Sequence, residues 1–163
     1  MKYSAFLILI VLFAFQEPSY VKKTNKTIND SIFAVGDIIK IPTILFFPPT
    51  EYGAMNTLTK DSLNALADFL LKNPSLTIEL TNHTDFRGSE EYNMRLSQEK
   101  ARACVNYLTK EKNIDAKKIT PKGCGEAFLL IDEEEVKKVK TKKEKEALHQ
   151  INNRTELVVT GVY

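Results

Sequence analysis

Residues 76–110 constrain this chain more than any other stretch. Leu76, Ile78 and Leu80 alternate with polar residues, the period of a half-buried strand. The chain then turns over residues 84–89 and enters a long helical pattern that ends near residue 110. In open α/β sheets, ligands gather where the carboxyl end of a strand meets the amino end of a helix. Asp85 falls at that junction.

Placed on a wheel at ~100° per residue, Tyr92, Leu96, Ala101, Ala103, Cys104, Val105, Tyr107 and Leu108 share one broad apolar face of the helix. Arg95, Gln98, Glu99, Arg102, Asn106 and Thr109 take the other face. Asn93, Ser97 and Lys100 fall inside the apolar arc. Buried polar groups need a partner or a ligand. The alternative is a wide amphipathic helix whose lysine extends its stem to solvent.

The flanking segments supply more elements. Residues 38–47 read as a strand, which Pro42 confines to an edge or a bulge, and Pro48-Pro49 ends it. Thr59 is a candidate helix cap. Leu63, Leu66, Ala67, Leu70 and Leu71 then follow the spacing of one buried helical stripe, which Asn73-Pro74 stops. Residues 117–122 read as a short strand, so strand, helix and strand form a crossover unit that should be parallel and right-handed. Gly123-Cys124-Gly125 permits a tight bend. Residues 132–146 are dense in charge, with Glu133 and Lys137, and Glu134 and Lys138, in the favourable i, i+4 order. They read as an exposed helical insertion, and residues 155–160 supply the last strand.

These residues carry a family resemblance. Residues 84–101, T-D-x-x-G-S-x-x-Y-N-x-x-L-S-x-x-K-A, resemble the signature of the OmpA-like peptidoglycan-binding domain. Gly123-Cys124-Gly125-Glu126 resembles the family's G-x-G-E, and residues 149–156 resemble its closing N-R-R-x-E. Residues 44–47, 63–71 and 76–85 follow its opening strand, helix and second strand. The likeness covers residues 36–162. It implies an α/β fold of the OmpA-like βαβαβ kind, an α+β sandwich of two layers. The sheet should be mixed, with two main helices on one face and a short charged helical insertion. It also implies a division into a signal peptide or short anchor at 1–19, a polar tether at 20–35 and the OmpA-like domain at 36–163.

The resemblance further implies a function: non-covalent, non-catalytic binding of peptidoglycan through the meso-diaminopimelate of its stem peptide, in an exported protein of the periplasm or outer membrane. Asp85 would receive the ligand ammonium, and the residue at position 100 its carboxylate. The implied ligand set is Thr84, Asp85, Gly88, Asn93, Leu96, Ser97, Lys100 and Arg154. The chain departs from the family pattern at two of the charged positions. Lys100 stands where arginine is usual, which keeps the charge but loses the two-pronged fork. Asn153 stands where the first arginine of the closing motif is usual. A competing expectation is therefore an envelope subunit that keeps the fold with weakened or lost wall binding. For Asp85 alone, the simpler alternative is a turn or capping aspartate paired with Lys100 or Arg154.

Composition narrows the remaining classes. The chain has 163 residues, the size of one domain, and 43% are hydrophobic. Its 23 basic and 21 acidic residues leave a net charge of +2, which gives no nucleic-acid footprint. Lys2 precedes an apolar run at residues 5–15, which suits a signal-peptide core and is short for a spanning helix. Cys104 and Cys124 read as two small buried side chains rather than a disulfide. No Cys/His spacing suggests a metal site, and no cofactor is expected. An enzyme using His83 and Asp85 lacks a nucleophile with a base partner. His83 reads as making a local hydrogen bond. Other envelope proteins are candidate partners.

Overall fold

The computed structural model describes residues 25–40 and 57–163. In chain order these form β1 (Asn25–Thr27), β2 (Ile38–Lys40), α1 (Thr57–Lys72), β3 (Leu76–His83), α2 (Glu90–Lys110), a 3-10 turn (Ala116–Lys118), β4 (Ile119–Gly125), α3 (Glu133–Lys138), α4 (Lys142–Asn152) and β5 (Thr155–Val162). The strands make one mixed sheet in the order β1-β2-β5-β3-β4. β3 and β4 are parallel, and β5 runs antiparallel to β3 and β2. The α/β architecture and the β3–α2–β4 parallel crossover agree with the sequence reading.

Alternation decides which face of the sheet is covered. Leu76, Ile78 and Leu80 of β3 join Leu157 and Val159 of β5 and Ile119 of β4 in the core. Thr77 and Glu79 between them stay partly exposed. From the helices, Leu63, Leu66, Ala67 and Leu70 of α1 and Ala101, Cys104, Val105 and Leu108 of α2 close over the same core. The Tyr107 hydroxyl donates to Asn64 Oδ1 at 2.9 Å, tying α2 to α1. Both cysteines are free and buried.

Several boundaries differ from the sequence reading. Residues 25–35, read as part of a tether, contribute β1 and pack Ile28 and Phe33 against the core. Phe33 meets Phe69 edge to face at 5.4 Å. That contact buries a second side of α1 and explains why Phe69 is enclosed while Leu71, expected in the stripe, is exposed. At residues 38–40 the strand is flanked by both β1 and β5, so this part is not an edge. Residues 41–47 with Pro42, Pro48-Pro49, the apolar run at 5–15 and residues 20–24 lie outside the described residues. Among the described residues no helix is long and apolar enough to cross a membrane. Thr59 lies within α1, fully buried, and is not its cap.

The strand expected over 117–122 begins at Ile119 and runs through the glycines to Gly125. Asp115 holds residues 116–118 in a turn by accepting from the Lys117 N–H at 2.9 Å. The charged insertion is two helices rather than one. Asp132 caps the first, and Thr141 caps the second through a capping box with Glu144. Val136 is buried, so the insertion is not wholly solvated.

Candidate functional site

β3 and β4 end side by side because they are parallel, and β5 begins between β3 and β2 because it is antiparallel. The turn after β3 is therefore held by both neighbours. The His83 N–H donates to Arg154 O and the Thr84 N–H to Gly125 O, each at 2.9 Å. The Asp85 N–H donates to Asn153 Oδ1 at 3.2 Å. Gly88 has φ of 115°, a conformation that side chains rarely adopt, and a Cβ there would crowd Tyr92 and Asn93. Ser89 then caps α2, accepting from the Tyr92 N–H at 3.2 Å.

Asp85 is 5% exposed, and its carboxylate is fully engaged. Oδ1 accepts from the Arg87 N–H at 2.8 Å and from Arg87 Nε at 3.0 Å. Oδ2 accepts from Arg87 Nη2 at 2.7 Å and Asn153 Nδ2 at 2.6 Å. Burial raises the Asp85 pKa, but the hydrogen bonds from Arg87 and Asn153 outweigh it and hold the carboxyl below the usual aspartate range. The Arg87 guanidinium spans outward to Glu146 of α4, with Nη1 to Oε2 at 3.0 Å. Its own pKa is raised, first by the hydrogen bond to Asp85. Of this pair, Asp85 is enclosed and the Arg87 side chain is 49% exposed.

The polar residues inside the apolar arc of α2 find protein partners. Asn93 Nδ2 donates to Asp85 O at 3.2 Å and to a carboxylate oxygen of Glu126. Ser97 Oγ accepts from the Gly125 N–H and donates to Met94 O, both at 2.9 Å. Gln98, placed by the wheel on the solvent face, accepts from the Gly123 N–H at 2.9 Å. Lys100 is half-buried. Burial lowers its pKa, and the negative charge of Asp85 opposes that shift. Leu96 is half-buried, while Tyr92, expected in the core, is 36% exposed beneath the Arg95 guanidinium.

Thr84, Asp85, Gly88 and Asn93 thus come together at the turn, and Lys100 acts electrostatically on Asp85. Arg154 is engaged elsewhere, with Nε 2.7 Å from Glu156 Oε1. The ion pair expected between Asp85 and Lys100 or Arg154 is made by Arg87 instead. His83 Nε2 lies 3.7 Å from the other oxygen of Glu156.

Sequence reasoning missed Arg87, Glu126, Glu146 and His149, and it read Asn153 only as a lost charge. A cation two residues beyond a turn aspartate is the one local signal that pointed to Arg87. His149 of α4 is buried, with Nδ1 3.9 Å from Asp85 Oδ2 and its ring 5.0 Å from that of Phe86. Its Nδ1 and the Thr84 Oγ1 are both buried, with no hydrogen-bond partner among the described residues. Also among the described residues, no group of three or more His, Cys, Asp or Glu side chains is arranged to hold a metal ion.

The sequence is similar to those of known envelope proteins. The chain is 30% identical over 108 residues to the peptidoglycan-associated lipoprotein of Buchnera aphidicola, covering 62% of this chain and 61% of that protein. It is 27% identical over 99 residues to outer membrane porin F of Pseudomonas aeruginosa, covering 61% of this chain and 28% of that protein. It therefore spans less than two thirds of the length of either relative. The crystal structure of the peptidoglycan-associated lipoprotein from Burkholderia pseudomallei matches with a TM-score of 0.54 and 22% identity, over 71% of this chain and 87% of that one, a likeness of fold. A sequence model of the OmpA family matches residues 47–148, more than half of the chain. The chain belongs to the OmpA family.

Proposed function

We propose that this chain is a non-catalytic binding module of the bacterial cell envelope that holds peptidoglycan non-covalently. Asp85 receives the ammonium of the diaminopimelate in the stem peptide, and Lys100 faces the carboxylate beside it. The observation that carries this reading is the state of Asp85, an enclosed, ionised carboxylate already paired with a cation whose side chain is half exposed. A ligand ammonium can replace that internal cation without a new charge having to be buried alone. Relatives named for the outer membrane and for association with peptidoglycan support the setting. On α2, the hydroxyl of Ser97 is bound to backbone groups rather than to a base, which supports binding rather than catalysis.

A second reading has its own observation. Arg87 and Asn153 saturate the Asp85 carboxylate, and Arg154 is paired with Glu156. An envelope subunit that keeps the fold and no longer holds the wall fits this closed arrangement.

Co-sedimentation of the chain with intact sacculi separates the two. Asp85→Asn should lose retention, because removing one partner of a desolvated charge pair costs about 2–5 kcal/mol. At position 100, retention should fall in the order arginine, lysine, glutamine, glutamate. Equal retention of all these variants refutes the site, and no retention of the parent supports the second reading.

A further inference from the structure

We infer that His149 is a specificity-determining residue of this site, its Nδ1 accepting a hydrogen bond from the ligand ammonium beside Asp85. The inference rests on the binding reading above. A primary ammonium carries three N–H donors in a tetrahedral set. The Asp85 carboxylate satisfies one of them. Nδ1 of His149 lies 3.9 Å from Asp85 Oδ2, buried and with no hydrogen-bond partner among the described residues. Thr84 Oγ1, one residue before Asp85, is in the same condition. Buried polar atoms without partners are rare in folded proteins, and Nδ1 of His149 is one that lies beside the Asp85 carboxylate.

The imidazole is held in position from two sides. The Phe86 ring lies against it at 5.0 Å. Glu146, three residues before it on α4, is bridged by Arg87 to the turn that carries Asp85. The charged groups around Nδ1 are Asp85 and Arg87 from the turn and Glu146 from α4, with Lys100 of α2 acting on Asp85. The internal cation does not use the whole socket. Arg87 pairs with Asp85 and Glu146, while Nδ1 of His149 and Oγ1 of Thr84 stay without a partner. A ligand ammonium that engages both Asp85 and Nδ1 of His149 makes a hydrogen bond that Arg87 does not make.

The test titrates the purified chain with a diaminopimelate-containing tripeptide muropeptide, and with the same compound acetylated on the free side-chain amine. His149→Phe keeps the ring and removes the nitrogen. His149→Asn returns an acceptor near the place of Nδ1. For the free amine, His149→Phe should bind about tenfold more weakly than the parent, and His149→Asn within about threefold, the worth of one hydrogen bond. The acetylated compound should bind weakly to all three. Equal binding by the Phe and Asn variants, or tighter binding by Phe, shows that the ring only packs against Phe86 and overturns the inference. If His149→Phe does not fold, His149→Leu takes its place in the titration, and binding equal to that of His149→Asn overturns the inference. A parent that binds the acetylated compound as well as the free amine also overturns it. A parent that binds neither refutes the site reading, and the socket with it.

Discussion

A carboxylate as enclosed as that of Asp85 stays ionised only because donors surround it. Burial pushes its pKa up, and the donors from Arg87 and Asn153 pull it down further, for a net value below the usual 3.8. A carboxyl whose folded-state pKa is depressed stabilises the fold above its unfolded pKa and loses that contribution as pH falls through the folded value. Urea unfolding should therefore show stability declining as pH drops below about 4, and Asp85→Asn should flatten that decline. An unchanged acid profile would mean that the carboxylate contributes nothing to the fold. Asn153 contacts both the backbone and the side chain of Asp85, although 68 residues separate them. The sequence marks position 153 as a departure from the family pattern but cannot show what the asparagine touches. The T-D turn after a strand was legible because it is local. The donors to Asp85 were not, because they depend on how the turn folds back and on how β5 approaches.

At the scale of elements, the seat of α2 on β4 fixes the distance between the helix and the turn. A Cβ on Gly123 would lie 2.6 Å from Gln98 Cα and 2.7 Å from Ser97 Oγ. The obstacle is largely helix backbone, so the helix itself must move. Gly123→Ala should cost about 1–3 kcal/mol, the range for overpacking, and shift α2 away from the site. Chemical denaturation of the variant checks this, and a near-neutral result would show that α2 has slack against the sheet. In the sequence this glycine reads as a bend. A glycine kept for close approach and one kept for a turn look alike until the neighbouring element is in place. The amphipathic stripe of α1 was legible for Leu63, Leu66, Ala67 and Leu70. Phe69 was not, because its partner Phe33 comes from a segment without periodicity. The charge run at 132–146 announced helices, and only the caps at Asp132 and Thr141 show where one stops and the next begins.

For the whole molecule, the sheet gathers the site by topology. The carboxyl ends of β3 and β4 and the amino end of β5 meet at one end of the sheet, and α4 leads into β5 there. The strand-helix-strand core was legible because hydrophobic period and spaced family motifs agree. The outer strand β1 was not, because three residues of mixed polarity carry no period. The central claim is that a ligand enters where Asp85, Lys100 and His149 converge. The most direct measurement is a residue-by-residue solution NMR titration of the chain with a diaminopimelate-containing muropeptide. Amide shifts should concentrate at residues 84–100 and 146–154 and be lost in Asp85→Asn. Shifts confined to β1 and β2, or shifts at the turn that persist in Asp85→Asn, would contradict that claim.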